Sequence, residues 1–422
     1  MRSICLQKIP QLKSSQSSQY TGTRTHACAL ARRGLVDGAP AKRAEGRWLD
    51  DRPRHTQRAA SGKANSLLTI MCPAKAGAKQ LALIQSNYLV SKLQEHRPDI
   101  QFETVTMSTP GDRDLSQSIV KIGESALWTL ELENSLKSGR VDMIVHSLKD
   151  VSTSLPRGLV LGSILERANP RDAIVMSPQN HGHSLATLPN GSVIGTSSLR
   201  RAAQIRRSYP HLQIYDIRGN IDGRMQKLDE SGQYDGLCLA AAALERMGAE
   251  YEKRTSQILS PEECMYAVSQ AALAVECRAN DVDGLNLLDN LHHRDTALRV
   301  VAERAYQKRL KAGCSEPVGA HSILKDGVLT LKGAVFTADG KEAIFDEETI
   351  RLPNGIKDGT EEQSSDLKQY SCIVTGRCND PRLFQAAERL GTELADRMIK
   401  NGAEDILITV RKQIAAENAG GK

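Results

Sequence analysis

Hydroxyl and basic side chains cluster in the segment 193–201, which reads VIGTSSLRR. The apolar run predicts a strand that ends at the glycine, and Ser197 and Ser198 can cap the helix that follows. Arg200 and Arg201 lie in the first turn of that helix, where they oppose the helix dipole unless an anion is bound. Free N–H groups at such a helix end also bind anions. The segment therefore predicts an anion site, with a solvated charged helix face as the alternative.

A second basic cluster follows one strand-and-helix unit later. The sequence IRGN at 217–220 places Arg218 between a strand and a helix, Arg224 lies in that helix, and Arg246 follows the next strand. The carboxyl ends of parallel strands meet at one edge of a sheet, so we expect all these arginines to face one cleft. Arginine binds carboxylates through two parallel hydrogen bonds. Several arginines in one cleft repel each other, so we expect a ligand with several carboxylates or phosphates, although any single arginine can be an ordinary surface charge.

An acidic residue follows a third apolar strand, in the sequence HSLKD at 146–150. Lys149 adds another cation to the predicted cleft. Asp150 is a lone carboxylate at a strand end, where a catalytic acid would be placed. The alternative is a structural one, in which Asp150 caps a helix or pairs with Lys149.

A cysteine lies on a loop bounded by glycine and proline, in the sequence GCSEPVG at 313–319. A cysteine exposed on such a loop can act as a nucleophile if its thiolate is favoured. The alternative for Cys314 is a small buried hydrophobic residue.

The elements that must position these residues alternate between strands and helices from about residue 66. The pattern predicts parallel sheets that helices cover on both faces. After about residue 290 the pattern changes to a long helix, three strands joined by tight turns, a mobile loop and a final helix. The predicted helices are 82–93, 126–137, 198–208, 220–229, 296–310 and 381–400; the strands are 101–107, 141–145, 192–195, 212–217, 236–241, 320–324, 328–336 and 342–350; and the loop is 354–366.

Composition excludes several classes of protein. The chain has 422 residues, of which 25% are charged and 40% hydrophobic, enough for two or three domains with substantial cores. The most apolar stretch, 236–244, is far shorter than the ~20 residues that span a bilayer. Aromatic residues make up only 4%, which argues against a nucleic-acid platform of stacking rings. Nine cysteines without a CxxC pair argue against a disulfide framework or a zinc site, so we expect a reducing compartment and no metal.

The positive charge belongs to the first 65 residues. They carry a net charge of +9, whereas the remaining 357 carry −3. This segment is similar to a mitochondrial transit segment because it is rich in Ser, Thr and Arg and has no acidic residue before Asp37. The alternatives are a disordered extension, a start site placed too far upstream, or an arm that binds nucleic acid.

Five motifs together resemble the porphobilinogen deaminase (hydroxymethylbilane synthase) family, in that family's order and spacing. They cover roughly residues 80–350, and their number makes the resemblance specific. The motifs are HSLKD at 146–150, GTSSLRRAAQ at 195–204, IRGN at 217–220 with Arg224, PEECMYAV at 261–268 and GCSEPVGAHS at 313–322.

The resemblance implies an enzyme of tetrapyrrole (heme) biosynthesis that joins four porphobilinogen molecules head to tail, releasing ammonia at each step. It implies that Cys314 holds a dipyrromethane cofactor through a thioether and that Asp150 assists deamination. The residues that it implies for binding the cofactor are Lys149, Asp150, Ser197, Ser198, Arg200, Arg201 and Arg224, and those for binding substrate are Ser147, Arg218 and Arg246. Each pyrrole brings two carboxylates, which agrees with the polyanion expected from the arginines.

The implied fold has two doubly wound α/β domains of the periplasmic-binding-protein type and a small C-terminal α+β domain with a three-stranded antiparallel sheet. The expected limits are 66–165 with 267–288 for domain 1, 166–266 for domain 2 and 289–422 for domain 3, after the basic segment 1–65. We expect a monomer that binds neither nucleic acid nor membrane and that acts in the cytoplasm, or in mitochondria if the basic segment is a transit peptide.

The chain departs from the family pattern at several positions. Gly77 and Lys79 stand where the family has a substrate-binding arginine and a serine. Leu130 replaces a usual lysine, Ser152 a proline, Ser269 and Ala271 two glycines, and Glu316 a small or apolar residue near Cys314. If Gly77 is the true residue, we expect weaker substrate binding. The alternative function is then an inactive, two-lobed protein that binds polyanions.

Overall fold

The computed structural model describes residues 67–73, 79–106, 122–353, 368–376 and 380–420. The basic segment 1–65, Gly77 and the loop predicted at 354–366 lie outside the described residues. Within the described part of the chain, no helix has the length and apolar character that crossing a membrane requires.

The strands form three separate sheets. In chain order they are β1 (Leu67–Cys72), β2 (Gln101–Thr106), β3 (Met143–Ser147), β4 (Leu159–Ile164), β5 (Asp172–Met176), β6 (Val193–Gly195), β7 (Gln213–Tyr215), β8 (Gly236–Ala240), β9 (Thr255–Ile258), β10 (Leu273–Arg278), β11 (Val318–Lys325), β12 (Val328–Phe336), β13 (Ala343–Arg351), β14 (Gln369–Tyr370) and β15 (Ile373–Val374).

Most of the helices lie between the strands, as the alternating pattern predicts. In chain order they are α1 (Lys79–His96), α2 (Ile122–Lys137), α3 (Leu199–Ser208), α4 (Ile221–Glu230), α5 (Ala241–Met247), α6 (Ala249–Glu252), α7 (Val282–Asp289), α8 (Arg294–Arg309), α9 (Pro381–Lys400) and α10 (Ala403–Gly420). Helix α10 is not predicted by the sequence pattern, so the helix at 381–400 is correctly placed but is not the final one.

The first two sheets are mixed, and the prediction of parallel sheets is wrong for three of their strands: β5, β10 and the two-residue β14, which pairs antiparallel with β15. The first has the order β14-β15-β4-β10-β3-β1-β2, and β10 runs antiparallel to both β3 and β4. The second has the order β7-β6-β8-β5-β9, and β5 runs antiparallel to β8 and β9. The reason is the chain path. Strand β5 enters the second sheet directly from the first, and β10 returns directly from the second, with no helix to restore the parallel direction.

The third sheet is a meander in which β12 pairs antiparallel with β11 and β13. Its turn at 326–327 has positive φ at both residues, which suits the Asp-Gly sequence found there. Helices α8 and α9 pack against this sheet through a large apolar core that includes Val301, Leu331 and Leu390. Gly391 brings the two helices together, because a Cβ at that position would lie 2.0 Å from the carbonyl oxygen of Ala302.

Two α/β sheets and a small antiparallel sheet with its helices confirm the predicted fold class. The strands of each sheet fall within the range expected for its domain, apart from β14 and β15, which extend the first sheet although they follow residue 289. The domain limits themselves stay a prediction.

A buried carboxylate, Glu303 of α8, joins the two chain crossovers to the third sheet. Arg167, in the first crossover, donates to both of its oxygens at 2.6 and 3.0 Å. Ser269, in the second crossover, donates its backbone N–H at 2.7 Å, and Ser322 of β11 donates its hydroxyl at 2.6 Å. Burial opposes the charge of Glu303, but Arg167 offsets this and holds the pKa of Glu303 below its usual range.

The second crossover contains a strained turn, at two of the positions where the resemblance implies glycine. Ser269 has a φ of 63° and Ala271 a φ of 70°, in the left-handed region that side chains with a Cβ disfavour. The hydroxyl of Ser269 is also buried and has no hydrogen-bond partner among the described residues. The turn persists because its backbone is held from several sides, at Ser269 N–H by Glu303 and at the Gln270 carbonyl by Arg167.

We expect Ser269→Gly to stabilise the protein. The substitution removes a left-handed conformation that costs about 1–2 kcal/mol and a buried hydroxyl without a partner, and these gains exceed the entropy cost of an added glycine. Urea unfolding should show a free energy of unfolding that is higher by about 1 kcal/mol.

Ser163→Gly is the matched control, because Ser163 also buries a hydroxyl without a partner but lies in strand β4 and is not among the residues with positive φ. It should not stabilise the protein, since glycine weakens a strand. An equal gain in both variants would show that the backbone conformation of Ser269 is not the cause.

Candidate active site

Two adjoining cavities lie where the predicted site residues meet, and they share Lys149, Asp150 and Arg201. The first has a volume of about 310 Å³ and is also lined by Ser147, Arg224 and Arg246. The second has a volume of about 190 Å³ and is also lined by Ser198, Arg200 and Cys314. Most of the residues predicted from separate motifs are therefore brought to one continuous site.

Asp172 holds the two arginines at the start of α3. Its carboxylate, at the first residue of β5, accepts hydrogen bonds from Arg200 Nη1 at 2.7 Å and from Arg201 Nε and Nη2 at 3.0 and 2.8 Å. Gln270 Nε2 donates to the same carboxylate at 2.8 Å. Ser198 caps the helix by accepting from the backbone N–H of Arg201. The anion predicted beside these arginines is thus, in part, a side chain of the protein itself.

The contact of Asp172 with Arg200 and Arg201 determines the ionisation of all three side chains. Burial opposes the charge of each one, but the mutual attraction is larger. It lowers the pKa of Asp172 and raises the pKa values of Arg200 and Arg201. One carboxylate shared by two guanidinium groups leaves a net positive charge in a buried location.

Three other cations at the site are poorly compensated. Burial lowers the pKa of Lys149, and the nearby Asp150 only partly offsets this effect. Burial and the neighbouring Arg201 lower the pKa of Arg224, and burial lowers the pKa of Arg246. These cations would gain stability from a bound anion, so the site has the electrostatics expected of a polyanion site.

Asp150 is exposed in a single 3₁₀ turn, Leu148–Asp150, that follows β3 directly. It lines both cavities, and Arg201, Arg224 and Arg246 line the first while Arg200, Arg201 and Cys314 line the second. Just before it, the hydroxyl of Ser147 exchanges hydrogen bonds with the side-chain amide of Gln85 at 3.0 and 3.3 Å. The carboxylate is thus placed at the end of a buried strand, with solvent access.

Cys314 is exposed on the loop between α8 and β11. The interpretation as a small buried residue is therefore wrong, and Cys314 lines the second cavity. Cys238 and Cys264 differ from it, because both are buried and burial raises the pKa values of their thiols. Cys314 is the cysteine that the described structure places within the cleft.

Two predicted residues lie outside the lining of these cavities. Ser197 is exposed but lines neither cavity. Arg218 is also exposed and donates to Asp216 at 2.7 Å. The prediction that five arginines share one cleft holds for Arg200, Arg201, Arg224 and Arg246 but not for Arg218.

Sequence reasoning missed several residues of the site. Asp172 is the most important, and its only sequence signal is a lone acidic residue at the start of an apolar run. Gln85 and Gln270 were also missed, because amides carry no charge pattern. Arg246 was found, but the backbone contact that orients it, from Nη2 to the Ala271 carbonyl at 2.6 Å, depends on the strained turn.

We expect Asp172→Asn to destabilise the protein by about 3–5 kcal/mol, because two buried guanidinium groups would lose their counterion. The free energy of unfolding should be measured in urea for the Asp172→Asn protein and for its parent. Both should carry Cys314→Ser, so that differences in covalent modification cannot contribute. Because the folded-state pKa of Asp172 is lowered, its contribution is fully present above about pH 4. The difference between the two proteins should stay constant from pH 5 to 8 and shrink only in stronger acid.

Asp216→Asn is the control, since Asp216 also pairs with an arginine but its side chain is 54% exposed. Exposed pairs contribute little, so its unfolding midpoint should stay close to that of the parent. A small effect of Asp172→Asn, similar to that of the control, would contradict the role of Asp172 as the counterion.

Comparison with known proteins identifies the family. The model for the porphobilinogen deaminase dipyrromethane cofactor binding domain matches residues 76–285, and the model for the porphobilinogen deaminase C-terminal domain matches residues 297–400. A porphobilinogen deaminase of Synechococcus elongatus is 42% identical over 337 residues, covering 79% of this chain and 94% of that protein. One from Nostoc sp. is 41% identical over 335 residues, covering 79% and 93%. The chain therefore belongs to the porphobilinogen deaminase family of transferases, as its five motifs predicted.

Proposed function

We propose that this protein is a hydroxymethylbilane synthase in which Asp150 assists catalysis and Cys314 holds the dipyrromethane cofactor. The reaction joins four porphobilinogen molecules head to tail and releases ammonia at each step. The observation that carries the proposal is the composition of the two cavities, which bring a carboxylate, an accessible thiol and several cations into one site.

The residues present fit the cofactor. Cys314 supplies the sulfur for a thioether, and the cavity that it lines also contains Lys149, Arg200 and Arg201, which suit carboxylate side chains. Ser198 and Arg224 extend the same row of donors. When bound, the cofactor supplies the primer on which the chain of pyrroles grows.

Asp150 would act on charge and protons. Loss of ammonia from a pyrrole leaves a positive charge, and a carboxylate fixed at the junction of the two cavities stabilises that charge as it develops. The carboxylate oxygens of Asp150 can also hold the proton that the leaving amine requires. Its location on a short turn directly after the buried strand β3 keeps the carboxylate in place for each successive step.

The cations would bind and orient the growing chain. Arg246 is held by the Ala271 carbonyl and lies on the larger cavity with Ser147, so both suit the incoming substrate. Arg218 stays a predicted contact of the substrate, and Ser197 stays a predicted contact of the cofactor. Neither residue lines one of the two cavities. The inactive, polyanion-binding alternative depends on Gly77, which lies outside the described residues.

We also propose that the protein acts as a monomer in the cytoplasm, without nucleic-acid or membrane partners. In support, one chain supplies the thiol, the carboxylate and the cations of the site. Light scattering should give the mass of one chain. A mitochondrial location of the full chain, lost when residues 1–65 are deleted, would contradict the cytoplasmic proposal.

We expect Asp150→Asn to lower turnover by at least about a hundredfold, because the amide neither carries charge nor transfers the proton. Formation of hydroxymethylbilane from porphobilinogen should be measured in purified protein. Intact mass serves as the control, since the variant should still carry its covalent cofactor. Near-normal product formation by a loaded Asp150→Asn protein would remove Asp150 from the mechanism.

We expect Cys314→Ser to abolish the covalent adduct, because a serine hydroxyl does not replace the thiolate as a nucleophile. Intact mass should equal that of the bare chain, and the acidic aldehyde reagent for pyrroles should give no colour. Cys372→Ser is the matched control, because Cys372 is also partly accessible but lies away from both cavities. An adduct that persists in Cys314→Ser would place the attachment elsewhere.

A further inference from the structure

The C-terminal helix α10 reaches the loop that carries Cys314. Arg411 donates from Nε to Glu316 Oε1 at 2.7 Å and from Nη2 to Glu316 Oε2 at 3.2 Å. This two-pronged geometry is the strongest arrangement of an arginine and a carboxylate. The side chain of Glu316 is only 10% exposed, and Arg411 is its charged partner.

The contacts of this pair lie on both sides of Cys314. Arg411 Nη2 also donates to the Lys311 carbonyl at 2.8 Å, three residues before the cysteine. The Glu316 carboxylate, two residues after it, accepts the backbone N–H of Gly313 at 3.2 Å. Lys311 has a φ of 54°, a conformation that needs support from its surroundings. The guanidinium group therefore links the two ends of the loop.

We propose that Arg411 is a positioning residue for cofactor attachment, which holds the Cys314 loop through Glu316 so that the thiol is presented to the cavity. This proposal rests on the attachment of the cofactor at Cys314.

Arg411 also neutralises a charge that would otherwise oppose the chemistry. A bare carboxylate two residues from Cys314 would disfavour the thiolate, which is the nucleophilic form, and would repel an acidic ligand. The hydrogen bond to Glu316, and then the charge of Glu316, raise the pKa of Arg411, so the guanidinium group stays charged. Glu316 and Arg411 thus have to be considered together.

The test compares Arg411→Met with the double variant Arg411→Met/Glu316→Val in the full chain. Intact mass of the purified proteins gives the fraction that carries the cofactor. The second readout is the rate at which N-ethylmaleimide, a neutral reagent, modifies Cys314 in protein prepared without porphobilinogen, followed by peptide mapping from pH 6 to 9.

For Arg411→Met we expect modification of Cys314 at neutral pH to fall on the order of tenfold, with its pH profile displaced to higher pH, and the loaded fraction to fall as well. The double variant should recover the pH profile, because it removes the unpaired carboxylate together with its partner, but its loaded fraction should stay low, because the loop still lacks the link between its two ends. Arg411→Lys separates charge from geometry, since lysine keeps the charge without the planar fork and should recover the pH profile better than the loaded fraction.

Arg397→Met is the matched control. Arg397 also binds a carboxylate through two nitrogens, to Asp346 at 2.9 and 3.1 Å, and its side chain is 38% exposed against 36% for Arg411. It lies on α9 and does not contact the Cys314 loop, so loading and Cys314 modification should match the parent protein.

Three results would overturn the proposal: parental loading and modification in Arg411→Met, an equal loss in Arg397→Met, or a parental loaded fraction in the double variant. If Arg411→Met does not fold, Glu316→Gln weakens the same link and keeps the charge of Arg411, and a parental loaded fraction there overturns the proposal equally. An adduct that survives Cys314→Ser instead defeats the attachment at Cys314, which is a different failure.

Discussion

The buried ion pair between Asp172 and the first turn of α3 is the interaction on which the cleft depends. Two arginines at a helix N-terminus oppose the helix dipole and each other, so without Asp172 they would turn to solvent or destabilise the fold. One carboxylate for two guanidinium groups holds them in place and leaves positive charge uncancelled. The same interaction thus builds the wall of the site and retains its affinity for carboxylates.

A second buried carboxylate, Glu303 of α8, holds the two crossovers beside this part of the site. It fixes the first crossover through Arg167 and the second through the Ser269 N–H. The next residue, Gln270, donates its side-chain amide to Asp172. The two carboxylates are therefore connected through a single strained turn. Since the chain passes between the two α/β sheets only at these crossovers within the described residues, any motion of one sheet relative to the other that makes room for a longer pyrrole chain acts on both crossovers.

Local sequence patterns predicted much of the site, and the errors came from contacts between residues that are far apart in the sequence. Lys149, Asp150, Arg201 and Arg224 were found because each follows a strand whose apolar run is visible in the sequence, and strand ends share an edge. Asp172 was missed because its partners lie 28 and 29 residues away, and no local pattern pairs them. The antiparallel direction of β5 and β10 was missed for the same reason. Helix α10 was overlooked since its apolar residues include β-branched ones, as in ILITV at 406–410, which resemble a strand.

Glu316 and Ser269 impose costs of two physical kinds. Glu316 places a charge on a side chain that is 10% exposed, and Arg411 meets it with a matching fork at 2.7 and 3.2 Å. Ser269 introduces a conformational cost, which no side-chain partner can remove, because strain resides in the residue's own backbone. A charge can be compensated by one neighbour, whereas a left-handed φ is maintained only by the whole network around it. The first kind therefore creates a new dependence between two residues, and the second lowers stability without changing the geometry of the site.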